Sequence, residues 1–496
     1  MNSKSRTASV YPWTGVLALA LLGSFAVALA GCQPSSDAPA RQQEAPAEKV
    51  EAEAPPKAAV SAEAADDEKP AVTVFKNVKV FNGSDDKLID ADVLIEGNLI
   101  KKVGKNLSAD GATVIDGGGR TLMPGLIESH THLVGGAYTA DVLTTPYWDD
   151  IAVKMLVRAQ DYFDMGFTTI RDAASWCLGI KSAVDAGIAY GPRILSPGAG
   201  ITQTGGHGDL RLPYQNNPYF SPASENPEHS NLNFLGAMRR ADGVPEVRRA
   251  ARANLAAGAH FIKVLGGGGI YSFLDPIESL QYSEEELKAA AEEASNYGTY
   301  ATIHAHLDEA VNRAIDLGFK MIEHATVMEE DTVKKMAKKD VIWGMQASLF
   351  LADPATNPAA SSPVQRHKAQ VVYDGMRKTL EYAKKHKVKT LWGTDIIGSR
   401  EAFFELFPKE WEIRNDYYTP FEQLQQVTKN NGEMVAMSGP KNPYPEGPLG
   451  VIEPGAYADI LLVQGNPLEN ILILRDYKEN IHLIMKDGKV YKNELQ

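Results

Sequence analysis

The sequence predicts an α/β chain: a (β/α)8 TIM barrel with a small β-sandwich built from both termini. Three observations predict it. The middle of the chain alternates short apolar runs with helical patterns, as parallel α/β folds do. Eight such runs can be counted, the number a closed barrel needs. Both ends read differently, as alternating half-buried strands punctuated by turns.

At the N-terminal side VTVFKNVKVFNG and DADVLIEGNLIKKVG are strand patterns divided by turn signals at Asn82-Gly83 and Glu96-Gly97. At the C-terminal side LGVIEPGAYADILLVQGNP and NIHLIMKDGKVYKNE read the same way, with a turn at Lys486-Asp487-Gly488. Residues 72–122 and 447–496 are therefore assigned to the small β domain and 123–446 to the barrel. The eight barrel strands are expected at 123–132, 166–172, 193–198, 260–266, 300–306, 320–325, 341–346 and 390–395. One helix between them is well marked: Ser283 and Glu286 form a capping box ahead of LKAAAEEASNY, and Gly298 sits at its end.

Ahead of the β domain lies a targeting segment. Lys4 and Arg6 precede the apolar run VLALALLGSFAVALA, too short for a membrane span, and the run ends in Leu29-Ala30-Gly31-Cys32. This resembles a bacterial lipobox. It implies a signal peptide over 1–31, lipidation of Cys32, and export to the periplasmic face of the outer membrane of a Gram-negative bacterium. Residues 32–71 are rich in Ala, Pro and Glu and nearly devoid of large apolar side chains, so they are expected to be a disordered tether. Cys177 is the one other cysteine, so no internal disulfide is expected.

The composition, 44% hydrophobic and 23% charged, is that of a globular protein with ample core. The formal net charge of −13, without a basic stripe, argues against nucleic acid as a partner and leaves a small-molecule substrate and a membrane anchor.

Chemistry-bearing residues fall at strand ends. His130 and His132, Lys263, His304, His324 and Asp395 each lie near the C-terminal end of an expected strand, the first two sharing one. The C-terminal mouth is where barrel enzymes build their sites. Neutral imidazoles and a carboxylate suit zinc or a similar ion. Lys263 lies within the apolar run HFIKVLG. A buried lysine needs a partner; its neutral amine can react with carbon dioxide to give a carbamate, whose two oxygens can bridge metals. The loop after the third strand, from Gly198 to Asn231, is long and carries His207, a candidate contact for substrate. His306 shares a strand face with His304 and reaches the same mouth. Arg171 either clamps a substrate carboxylate or serves a structural role beside Asp172.

PGLIESHTH, TTIRD, ITQTGGHGD, IKVLGGGG, HAH, IEHA, GTD and LGVIEPGAYADILLV, in that order, resemble the amidohydrolase superfamily from Val72 to the C-terminus. The similarity is greatest to a binuclear branch holding Xaa-Pro dipeptidases, ochratoxin-cleaving amidases and imidazolonepropionase relatives. It implies one metal held by His130, His132 and Asp395, a second held by His304 and His324, and a carboxylated Lys263 bridging them. A hydroxide shared by the two ions, most simply zinc, would attack an amide carbonyl. Asp395 would carry its proton to the leaving amine, and His306 would bond the developing oxyanion. Three departures stand out: Glu128 where Asp is commoner, LGGGG after Lys263, and VIWGMQ as the seventh strand. The expectation is a dipeptidase or carboxypeptidase acting on a dipeptide or N-acyl amino acid, with homo-oligomers common in such a family. The alternatives are a one-metal deaminase or cyclic-amide hydrolase, and a silent binding lipoprotein.

Overall fold

Apolar alternation at the two ends of the chain builds two sheets that share one core. In the computed structural model the described residues are 70–137, 147–209, 211, 236–272, 275–355, 360 and 362–495. The signal segment, Cys32 and nearly all of the tether lie outside them, as does most of the long third loop. The first sheet has four strands, in the order Leu99–Gly104, Asp92–Glu96, Val72–Lys76, Thr113–Asp116. The second has six, in the order Lys489–Asn493, Ile481–Lys486, Ile460–Val463, Thr121–Pro124, Lys79–Val80, Ile89–Asp90. Phe75, Val93, Ile95 and Ile100 of the first meet Leu122, Ile460, Leu462 and Met485 of the second in a common apolar cluster. The hairpin that closes the chain turns at Asp487 and Gly488, both at positive φ, as a two-residue turn between twisted strands requires.

All eight expected central strands form. They are Leu126–Thr131, Phe167–Asp172, Arg193–Leu195, Ile262–Leu265, Ala301–Leu307, Met321–Val327, Ile342–Met345 and Thr390–Trp392. The first starts later than expected. Thr121–Pro124 pairs antiparallel with Ile460–Val463 of the terminal sheet, and the chain crosses into the barrel at Gly125. A Cβ there would lie 2.1 Å from the Thr168 hydroxyl, so the crossing needs glycine. The expected third strand, 193–198, is shorter than expected, and an unexpected strand follows it. Arg193–Leu195 pairs with the second strand, whereas Gly200–Thr202 pairs with the fourth and with an additional strand, Met238–Arg240.

Closure is not made by a continuous ladder. The parallel strands form a three-stranded and a seven-stranded sheet, and neither is closed by hydrogen bonds. Side chains span the seams. Between the third and fourth strands, the Ser196 N–H donates to His260 Nδ1 at 2.9 Å and the His260 N–H donates to the Ser196 carbonyl at 2.9 Å. Between the eighth and first, the Asn431 amide donates to the carbonyls of Ile127 (2.5 Å) and Trp392 (2.8 Å). A backbone bond from Asp395 to His130 (2.8 Å) completes that seam at its mouth end.

Outer helices follow the local signals. Glu284–Asn296 starts at the Ser283/Glu286 capping box, and Gly298 beyond it adopts φ +70°. Arg400–Asn415 buries Phe403, Phe407 and Trp411, with Trp411 4.7 Å from Trp392 of the eighth strand. No described helix is long and apolar enough to cross a membrane.

Candidate metal centre

The mouth of the central strands holds a cavity of about 110 Å³, lined by His130, His132, His207, Lys263, His304, His324 and Asp395. The apolar part of its wall is Val134, Ala174, Ala237, Met238, Leu265 and Ile397, with Tyr271 beside it. His130, Lys263, His304 and His324 arrive on strands, His132 and Asp395 just beyond strand ends, and His207 on the loop after Gly200–Thr202. Asp395 and His324 reach it through backbone that side chains rarely adopt, φ +55° and +71°. Strain of this kind persists only where the surroundings impose it, and it gathers at functional sites. Here the Asp395 N–H is held by His130, and the His324 carbonyl accepts from the Trp343 indole at 2.6 Å.

Three imidazole rings converge on the Asp395 carboxylate. Asp395 Oδ1 stands 3.5 Å from His130 Nε2 and 3.0 Å from His132 Nε2, and Asp395 Oδ2 stands 4.0 Å from His324 Nδ1. One ligand atom from each of His130, His324 and Asp395 falls within 4.8 Å of the others. Ligand atoms about 2.0 Å from a tetrahedral ion sit about 3.3 Å apart, so this separation fits a metal ion. Protonation favours the same reading. Burial pulls His130 down against the opposing charges of Asp395 and Glu323. Burial also drives His304 and His324 well below the ordinary imidazole value. Burial opposes ionisation of Asp395, yet the imidazoles of His130 and His132 hold it below the usual carboxylate range. Burial opposes protonation of His132, yet Asp395 raises it above the ordinary value; the other three, neutral imidazoles beside a carboxylate, are a metal donor set.

Lys263 is buried, 3% exposed, and burial brings its amine down to about 8 against the opposing charge of Glu323. A buried lysine of that kind holds an accessible neutral fraction near neutral pH.

Behind the ligands stands a polar layer that the sequence reading missed. Glu323 is completely buried; its Oε2 lies 2.8 Å from His130 Nδ1, and its Oε1 accepts from Arg171 (3.0 Å) and Thr302 (2.7 Å). Burial pushes this carboxyl up, but Arg171, Lys263 and His130 hold it well below its ordinary value. Gln346 of the unusual VIWGMQ segment lies 2.8 Å from His324 Nδ1. Carboxylate or amide partners of this kind orient metal-binding histidines. Strand alternation would send neighbouring Glu323 and His324 to opposite faces. The positive φ at His324 breaks that alternation, and no pattern in the sequence announces it.

The remaining departures acquire reasons. Glu128 accepts the N–H groups of His130 (2.8 Å) and Thr394 (2.5 Å), tying the first strand to the loop that carries Asp395. The LGGGG run is imposed by crowding: a Cβ at Gly268 would meet the Pro276 carbonyl at 2.0 Å, and one at Gly269 the His207 ring at 2.0 Å. His207 stacks on His304 with ring centroids 4.2 Å apart.

Two expectations sharpen. Arg171 does not clamp a substrate: it is fully buried beneath the cavity, committed to Glu323, the Ser129 carbonyl and the Tyr300 hydroxyl. Its role is structural, through Glu323 rather than the neighbouring Asp172, whose oxygens accept from Leu133 and Ala174. His306 is buried, its ring 4.9 Å from that of His304 and 5.0 Å from that of His324, with its Nδ1 2.9 Å from Thr326 and its ring 5.2 Å from that of Phe350.

A barrel mouth carrying this His/Asp group defines a class, the amidohydrolases: the chain belongs to the amidohydrolase family, whose model matches residues 121–491. It is a hydrolase acting on amide or peptide carbon–nitrogen bonds. Ochratoxinase of Aspergillus niger is 30% identical over 377 residues, 75% of either chain. A prolidase solved with N-methylphosphonate-L-proline is 30% identical with a TM-score of 0.75, covering 85% of this chain and 100% of that one. A Xaa-Pro dipeptidase with methionine bound in its active site is 27% identical with a TM-score of 0.71, over 85% and 100%.

Proposed function

We propose that the protein is a binuclear zinc amidohydrolase that cleaves the amide bond of a dipeptide or N-acyl amino acid, as a dipeptidase or carboxypeptidase does. One observation carries this reading: five imidazoles, a carboxylate and a buried lysine line one small cavity at the mouth of the central strands. In it His130, His132 and Asp395 would hold one ion and His304 and His324 the other, and a carboxylated Lys263 would serve both as a ligand. The neutral Nζ of Lys263 adds to the carbon of carbon dioxide and releases one proton, leaving a carbamate. When bound, two such ions acidify water to a nucleophile and polarise a carbonyl oxygen. Asp395 takes the proton of the attacking water and delivers it to the leaving nitrogen, which avoids expelling an amide anion. Glu323 and Gln346 keep the rings of His130 and His324 in register while this happens. The apolar wall of Val134, Met238, Leu265 and Ile397 receives an uncharged substrate side chain. Similarity to ochratoxinase, to a prolidase solved with N-methylphosphonate-L-proline and to a Xaa-Pro dipeptidase holding methionine supports an amide bond next to an amino acid.

Zinc-loaded protein incubated with panels of dipeptides and N-acyl amino acids should release free amine. Turnover of cyclic ureides or aminated bases alone would overturn the substrate class. A one-metal reading has its own support in the tight grouping of His130, His324 and Asp395. Lys263→Ala separates the two: bound metal should fall from two equivalents toward one and kcat by at least about 100-fold. An unchanged Lys263→Ala enzyme would sink the bridged pair. We also propose, from the lipobox alone, that Cys32 anchors the chain to the outer membrane; Cys32→Ser should move the protein from the membrane fraction to the soluble periplasm.

A further inference from the structure

Lys368 is a lysine on the helix Pro363–Lys385, only 2% exposed, and the proposed chemistry makes no use of it. Its ammonium donates to the carbonyls of Gly269 (3.0 Å) and Ser272 (2.8 Å) and lies 4.0 Å from Asp275 Oδ1. Gln365, one turn earlier on the same helix, donates to the Tyr271 carbonyl at 2.9 Å. Three carbonyls within four residues of the glycine loop are thus held by one helix. That helix belongs to the connection between the seventh and eighth strands, whereas the loop follows the fourth.

The loop leads directly to the cavity. Tyr271 lines it, and Ser272 Oγ lies 2.8 Å from His207 Nδ1. Asp275 holds the loop from the other side, accepting the Gly269 N–H and the Gln281 amide, both at 3.1 Å. Gln281 in turn accepts the His207 N–H at 2.9 Å. A glycine-rich segment has little conformational preference of its own. Here its path is set by side chains that approach from outside, and a buried ammonium supplies charge-assisted bonds to do so.

We propose that Lys368 is a positioning residue that fixes the glycine loop and thereby places Tyr271 and His207 against the substrate. The inference rests on the cavity being the substrate site, and it concerns the geometry of the wall rather than the metal ligands. A wall residue touches substrate before and during reaction, so its displacement weakens ground state and transition state together and appears in KM.

The test uses the full metal-loaded enzyme, Lys368→Met, and the double variant Lys368→Met/Asp275→Asn. The double variant removes the negative charge that the single change leaves without its neighbouring ammonium. The single variant should raise KM about tenfold with kcat within about threefold. Metal content should be unchanged, and backbone amides of 266–272 should exchange with deuterium at least about tenfold faster. The double variant should recover thermal stability but not KM. Wild-type KM and loop protection in Lys368→Met would overturn the proposal. So would recovery of KM in the double variant, which would reduce Lys368 to a counter-charge for Asp275. Hydrogen exchange needs no substrate. If no amide substrate turns over in wild type, the functional reading fails while the clamp is still judged.

Discussion

At the scale of single residues, the site depends on pairs in which one member makes sense only beside the other. Glu323 is the clearest case. It joins Arg171, Thr302 and His130 in a fully buried layer under the cavity. Removing its charge strands the Arg171 guanidinium and frees the His130 ring. Glu323→Gln should therefore cost about 3–5 kcal/mol of stability and about 10–100-fold in metal affinity. Denaturant unfolding and competition with a chromogenic chelator read the two effects separately. His130, His132, Lys263, His304, His324 and Asp395 were all legible in the sequence because strand ends and residue chemistry suffice to nominate them. Of the two readings the sequence left open for Arg171, its burial and its bonds to Glu323 favour the structural one, and His306 is buried with its Nδ1 2.9 Å from Thr326. A strand-end position shows which end of the barrel a residue occupies, but not whether its head group reaches the cavity or is captured beneath it.

Among the elements, the strands were legible and the seams were not. Apolar runs of four to eight residues bounded by turn residues mark strands whatever their neighbours. Whether adjacent strands share a ladder depends on side chains brought from elsewhere. Asn431 substitutes for ladder bonds at one seam and His260 at the other. His260 gives the second seam a pH dependence. Burial lowers its imidazole from 6.5 to about 4, so between those values the unfolded chain binds a proton that the folded chain refuses. Stability therefore rises with pH across that window and falls as pH drops from 6.5 toward 4, by up to about 1.4 kcal/mol per unit. His260→Asn retains an acceptor without the titration. The stability advantage of wild type over this variant should shrink over that interval in thermal melts recorded at successive pH values.

Over the whole molecule, the two terminal segments pair through Thr121–Pro124 and Ile460–Val463, so the chain that enters the barrel is held by the chain that leaves it. A site whose proposed ligands come from five strands and the segments just beyond them should couple metal to the global fold in the same way. Metal that binds the folded chain alone stabilises it by mass action, about 4 kcal/mol when free zinc is 1,000 times its Kd. Chelation should lower Tm, and added zinc should restore it in a concentration-dependent way. A Tm indifferent to chelator would mean that the His/Asp group does not bind metal in the folded chain.

By itself the sequence determined the fold class, the order of eight of the central strands, and the residue types that meet near their ends. These follow from local hydrophobic periodicity and from the chemistry of histidine, lysine and aspartate. Tertiary structure alone decided which of those residues face the cavity and what stands behind them. The Glu323 and Gln346 partners, the backbone turn at His324, the Glu128 tie and the Lys368 clamp all join positions far apart in the chain. Their energies depend on burial and on distances of about 3 Å, which no local pattern encodes.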